Sequence, residues 1–236
     1  MASIKDAVED SFHDTHSIIK YILFAIPLFL VVNFNKEQLP GYSFWVFLTV
    51  ILLLGFMSYC TYNVRAGNAA VLPSFNIFST FWAGIKGALA VVPMGLLVYF
   101  ISKYIAGQIE VYIPDPNIVL VFSIIVYGVF ASLAITTYIL YASTLKISDA
   151  YNLKAVSAYS VDVLIAVIFM LIQAALVDTI ILAPISYVLW LFFGLPHPVA
   201  IYVWSVIFIF NLAMLGHYMA QISYEVIDVK EEAKKD

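Results

Sequence analysis

Long apolar runs separated by short polar stretches dominate the chain, and most of the runs approach or exceed the roughly 20 residues that a helix needs to cross a hydrocarbon core about 30 Å thick. In chain order the pattern predicts six spans: Ile18 to Phe34, Phe44 to Tyr62, Trp82 to Tyr104, Ile118 to Leu145, Val161 to Pro184 with continuation through Trp190, and Val199 to Tyr224. Three shorter segments carry apolar residues at helical spacing among polar ones, near residues 4–17, 75–82 and 148–159, and these read as helices lying in the membrane interface. The expected fold is therefore all-α: a polytopic membrane protein with six transmembrane helices and short interfacial helices. Its parts are an interfacial helix over 1–17, a transmembrane domain over 18–224 and a charged tail over 225–236.

Proline and glycine punctuate the pattern. Pro27, Pro93 and Pro184 fall inside spans and predict bends, while Pro114 and Pro116 suggest a long connection over residues 106–117 and Gly194 to Pro198 a rigid turn. Gly84, Gly87, Gly128 and Gly216 are expected to face neighbouring helices, because a missing side chain is useful in a membrane where two backbones approach.

Charge adds an orientation. Nine of the eleven basic residues lie at the N-terminus, in the connections after the second and fourth spans, at the adjoining span ends or at the C-terminus, whereas the other side holds only Lys36 and Lys103. By the positive-inside bias both termini are expected in the cytoplasm. At 64% hydrophobic and 11% charged, the chain lies far from soluble domains, of which roughly 25% is charged. The net charge of −4 gives no nucleic-acid footprint.

Three short motifs suggest kinship. DSFHDTHSIIKYIL (Asp10 to Leu23) leads a polar, Phe-containing stretch into the first span, YNVRAGNAAVLPSFNIFSTFWAGIKGAL (Tyr62 to Leu89) joins a basic loop to Leu-Pro and an aromatic approach to the third span, and HYMAQISYEV (His217 to Val226) ends the last. In this arrangement the chain resembles the bacterial and archaeal membrane family known as domain of unknown function 4013. Where that family has an acidic Pro-x-Trp-Asp pattern, this chain has Pro73, Ser74, Phe75 and Asn76. The resemblance implies a polytopic cytoplasmic-membrane protein and no catalytic residues.

Ionisable residues inside a bilayer cost at least about 2.5 kcal/mol each to insert, so the few that occur are the first candidates for function. Asp162 stands near the start of the fifth span and Asp178 sixteen residues later, about 24 Å along the same helix. Gln173 shares a broad face with Asp178, and Asn211 reaches similar depth if the fifth and sixth spans are antiparallel. Asp178 is therefore expected to face the bundle and to meet Gln173, Asn211 or a tyrosine hydroxyl. His217 and Gln221 lie one turn apart and suit hydrogen bonding to another helix. Glu9, His13 and His16 have i, i+4, i+7 spacing but no fourth ligand, so a solvated face is expected there rather than a metal site. Cys60, the only cysteine, sits in an apolar span and reads as a small hydrophobe.

No phosphate-binding glycine loop, nucleophile elbow or paired carboxylate is recognisable. The expected function is a non-enzymatic scaffold or accessory subunit of a membrane assembly, without cofactor or metal, whose partners are membrane lipids and other membrane subunits or further copies of itself. A small transporter or channel using Asp178, Gln173 and Asn211 is the first alternative, and a lipid-interacting, membrane-shaping protein the second.

Overall fold

The computed structural model describes residues 4–14, 16–34, 36–113, 115–194 and 197–228, and among these the regular structure is helical, with no strand. The helices are α1 (Ile4–Phe12), α2 (Ser17–Asn33), α3 (Tyr42–Arg65), α4 (Ile77–Tyr112), α5 (Pro116–Thr144), α6 (Ile147–Ala150), α7 (Leu153–Phe193) and α8 (Pro198–Ile222), after which Ser223–Asp228 winds as a π-helix. Five of them, α3, α4, α5, α7 and α8, are individually long and apolar enough to span a membrane; α1 and α2, bent by 93° across a short break, reach that standard only together and make six if the pair is counted as one span. At 17 residues α2 is at the lower limit for one crossing. The chain is an all-helical, multi-pass membrane protein.

Two of the expected interfacial segments are not separate helices. Residues 75–82 belong mainly to the first turns of α4, and 148–159 divides between the single turn of α6 and the start of α7. In both cases an asparagine just before the long helix satisfies a free backbone N–H: Asn76 Oδ1 accepts from Ser79 N at 3.1 Å and Asn152 Oδ1 from Ala155 N at 3.2 Å. With nothing to stop them, the helices then run straight on into the spans. The long connection expected over 106–117 also shrinks, since α4 continues to Tyr112 and Pro116 opens α5. Asp115 caps that start, accepting from Asn117 N at 2.9 Å, and proline at the first helical position needs no N–H partner. At the other terminus Val226 and Ile227 are buried against Ala7 and Tyr159, so packed structure extends beyond residue 224. Residues 229–236 of the expected tail lie outside the described chain, as do Pro114, Leu195 and Pro196.

Helix α3 is the centre of the bundle and packs against α2, α4, α5 and α8. Its contact with α4 is backbone on backbone: a Cβ placed on Gly55 would lie 1.9 Å from the Thr80 carbonyl oxygen, and one on Gly84 would lie 1.9 Å from the Ile51 carbonyl oxygen. Where α3 meets α8, a Cβ on Gly216 would lie 2.7 Å from Cys60 Cβ. Gly87 lies against Tyr141 and Leu54. Lipid supplies no hydrophobic drive for helices to associate, so close approach and dispersion hold such crossings together. Gly128 departs from expectation: a Cβ there would meet nothing within 4 Å and would point into open space.

Hydroxyls tie α5 and its neighbours to this centre. Tyr141 donates to the Ala83 carbonyl at 2.5 Å, Tyr138 meets Ser58 Oγ at 3.0 Å, and Ser143 donates to Ser223 Oγ at 2.9 Å. Proline has no N–H, so Pro93 leaves the Leu89 carbonyl of α4 without its helical donor. The Tyr151 hydroxyl, from the turn between α6 and α7, donates to that oxygen at 2.6 Å.

Candidate functional site

Helices α7 and α8 run antiparallel, and two polar pairs join them. The Tyr218 hydroxyl donates to Gln173 Oε1, and seven residues away on α8 Asn211 Nδ2 donates to Asp178 Oδ1 at 2.8 Å. Gln173 and Asp178 therefore both face α8, each with its own partner. Asn211 lies near the middle of the 25 residues of α8, about 20 Å from its start and about 17 Å from its end, which puts the Asp178–Asn211 pair deep within the span. Asp162 is in the third turn of α7, half-buried and remote from this pair.

Beside the pair opens a groove of about 720 Å³. Its floor is α8; Leu28 and Val32 of α2 form one wall, and α7 contributes Asp178. Apart from Asp178, Asn211 and Ser205 the lining is apolar, including Trp204 and Phe208. Ser205 is occupied in its own helix, donating to the Ile201 carbonyl at 2.9 Å. What the groove offers is an apolar trough with one carboxyl–amide pair at mid-depth. It has the size of a ligand or side-chain docking site but lacks the run of polar groups that would line a path for water or ions.

A second polar cluster pins the N-terminal segment to the bundle. His217, buried in α8, has its Nε2 2.9 Å from Asp10 Oδ2 of α1, and the Tyr21 hydroxyl donates to the Ser11 carbonyl at 2.8 Å. Lys20, only 6% exposed, pairs with Asp14 and lies 5.4 Å from the centre of the Phe75 ring. Burial alone would raise the Asp14 carboxyl; the Lys20 ammonium and the His16 backbone N–H at 3.0 Å outweigh it and hold the group below its ordinary value. His217 thus bonds to α1 rather than to another spanning helix. Glu9, His13 and His16 do not converge: α1 ends at Phe12, Glu9 pairs with Lys5 at 3.7 Å, and His16 packs edge-on to Phe75. Among the described residues no group of three His, Cys, Asp or Glu side chains could hold a metal ion.

Sequence reasoning passed over Gly55, Asp10 and Tyr218. Asp10 and Tyr218 become important only through partners 207 and 45 residues away. Gly55, alone among bulky neighbours in the middle of a span, carried a signal of the same kind as Gly84.

No protein-family model, curated protein or solved structure matches this chain.

Proposed function

We propose that this protein is a non-enzymatic scaffold or accessory subunit, which holds another membrane-embedded segment against its α2–α8 face. The observation that carries the reading is the groove itself. A multi-pass chain whose centre is packed backbone to backbone at Gly55, Gly84 and Gly216 nonetheless leaves a trough of about 720 Å³ along α8. The uneven distribution of basic residues supports a cytoplasmic-membrane location with both termini in the cytoplasm. The resemblance to domain of unknown function 4013 fits a polytopic protein and adds no residue roles.

The transporter reading ranks second. In its favour is Asp178 at mid-depth; against it are the apolar lining and the bond from Asn211 that already occupies one carboxyl oxygen. The membrane-shaping reading rested on three interfacial segments, two of which are absorbed into long helices.

Native mass spectrometry after extraction into lipid nanodiscs tests the proposal. A defined complex larger than one chain is expected, and a lone monomer in every preparation would sink the scaffold reading. Solute flux in proteoliposomes that is abolished by Asp178→Asn would favour the transporter instead.

A further inference from the structure

The α8 residues along the groove are spaced as a helix-packing seam. Ile201, Trp204, Phe208, Asn211 and Leu215 alternate by three and four residues, the 3.5-residue repeat through which one helix receives the side chains of another at a shallow angle. The seam runs over four turns of α8, about 21 Å. One residue further in the same rhythm, Tyr218 is engaged by Gln173 of α7, so the end of the seam nearest the π-helix already works as a helix contact within this chain. Along the rest of it, Asp178 is the one α7 residue lining the groove among the described residues.

Resting on the scaffold reading, we infer that the groove receives a transmembrane helix of a different protein, and that this helix carries a lysine or arginine at mid-depth facing Asp178. Charge complementarity selects the occupant. Among the described residues the Asp178 carboxylate accepts one hydrogen bond, from Asn211. Helix α8 has no lysine or arginine and its His217 is bonded to Asp10, α7 has only Lys154 in its first turn, and Lys20 of α2 is committed to Asp14. Ionisable groups within the bilayer pair with one another, and among the described residues that line the groove there is no lysine or arginine for this acid to pair with. A second copy docked symmetrically through the same face would bring an identical carboxylate to the groove, where like charges repel. A lipid chain would fill the trough but offers no group for Asp178 and has no use for a 3.5-residue seam.

The test uses the full chain in phosphatidylcholine vesicles, with a donor dye on Ser43→Cys, since Cys60 is fully buried. Three dye-labelled, leucine-rich transmembrane peptides serve as probes, identical except for lysine, leucine or glutamate at the central position. Energy transfer should show the lysine peptide binding about tenfold more tightly than the leucine peptide, equivalent to about 1.4 kcal/mol, with the glutamate peptide weakest. Asp178→Asn, which keeps an acceptor for Asn211, should erase the lysine preference. Ile201→Trp, which fills the trough without touching the acid, should weaken all three and serves if the Asp178 variant fails to fold. Equal binding of lysine and leucine peptides overturns the charge pairing while leaving a scaffold groove. Binding of none, together with a monomer in nanodiscs, overturns both readings. Displacement of the lysine peptide by an equimolar single-chain lipophilic amine reassigns the groove to an amphiphile and refutes the helix partner.

Discussion

Adding one methyl group to Gly55 should do more damage than adding one to Gly128, although both are glycines within membrane helices. In Gly55→Ala the new Cβ would lie 1.9 Å from the Thr80 carbonyl oxygen and 2.8 Å from Gly84 N, both backbone atoms that cannot rotate away. Restoring ordinary contact near 3.4 Å requires α3 and α4 to part by about 1.5 Å, which also opens the Gly84 contact with Ile51. Overpacking costs about 1–3 kcal/mol and here about 2–3 kcal/mol, because the atoms met are backbone, and alanine's better helix propensity returns about 1 kcal/mol of it. At Gly128 a Cβ meets nothing within 4 Å, so only the propensity gain remains. Thermal unfolding in one detergent, followed by circular dichroism and by retention of monodisperse protein, should show Gly55→Ala less stable than wild type by about 1–2 kcal/mol. Gly128→Ala should be equal to wild type or more stable. A Gly55→Ala variant as stable as wild type would refute the backbone-on-backbone crossing and with it the central place of α3.

The other variants probe polar contacts. Tyr151→Phe removes the donor to the carbonyl left free by Pro93 and should cost about 1–2 kcal/mol; the same substitution combined with Pro93→Ala should cost less, because the helix then supplies its own donor. Asn211→Ala leaves Asp178 without its hydrogen bond and should destabilise the protein by about 1–2 kcal/mol, read in the same unfolding assay. Asp14 is held below its usual 3.8, so its contribution is complete above that pH and is lost as pH falls through the lower folded value. Asp14→Asn should accordingly lower stability at neutral pH and flatten the acid side of the stability profile, and an unchanged acid limb would remove the Lys20 pair from the account.

How far the sequence reveals this molecule depends on the range of the interactions involved. The spans are legible because each is a long apolar run, and Asp178 and Asn211 meet because antiparallel neighbours bring their two depths together. The interfacial segments at 75–82 and 148–159 misled because mixed polarity resembles a surface helix, whereas asparagine caps at Asn76 and Asn152 start helices that continue for 36 and 41 residues. Glycine content alone could not distinguish Gly84 from Gly128, since the difference lies in which helix passes by. The α8 seam was present as a 3.5-residue repeat but hidden in a helix that is apolar on every side, where periodicity has little contrast. The link from His217 to Asp10 joins the two ends of the chain, and no local pattern announces it.

Photo-crosslinking in native membranes tests the central claim most directly. A benzoylphenylalanine placed at Phe208 lies within the α8 groove, and one at Phe122 lies on the exposed surface of α5. A single discrete protein adduct is expected from position 208, carrying a transmembrane segment with a basic residue at mid-depth, and no discrete adduct from position 122. Adducts that are the same from both positions, or from position 208 only lipid, would contradict that claim.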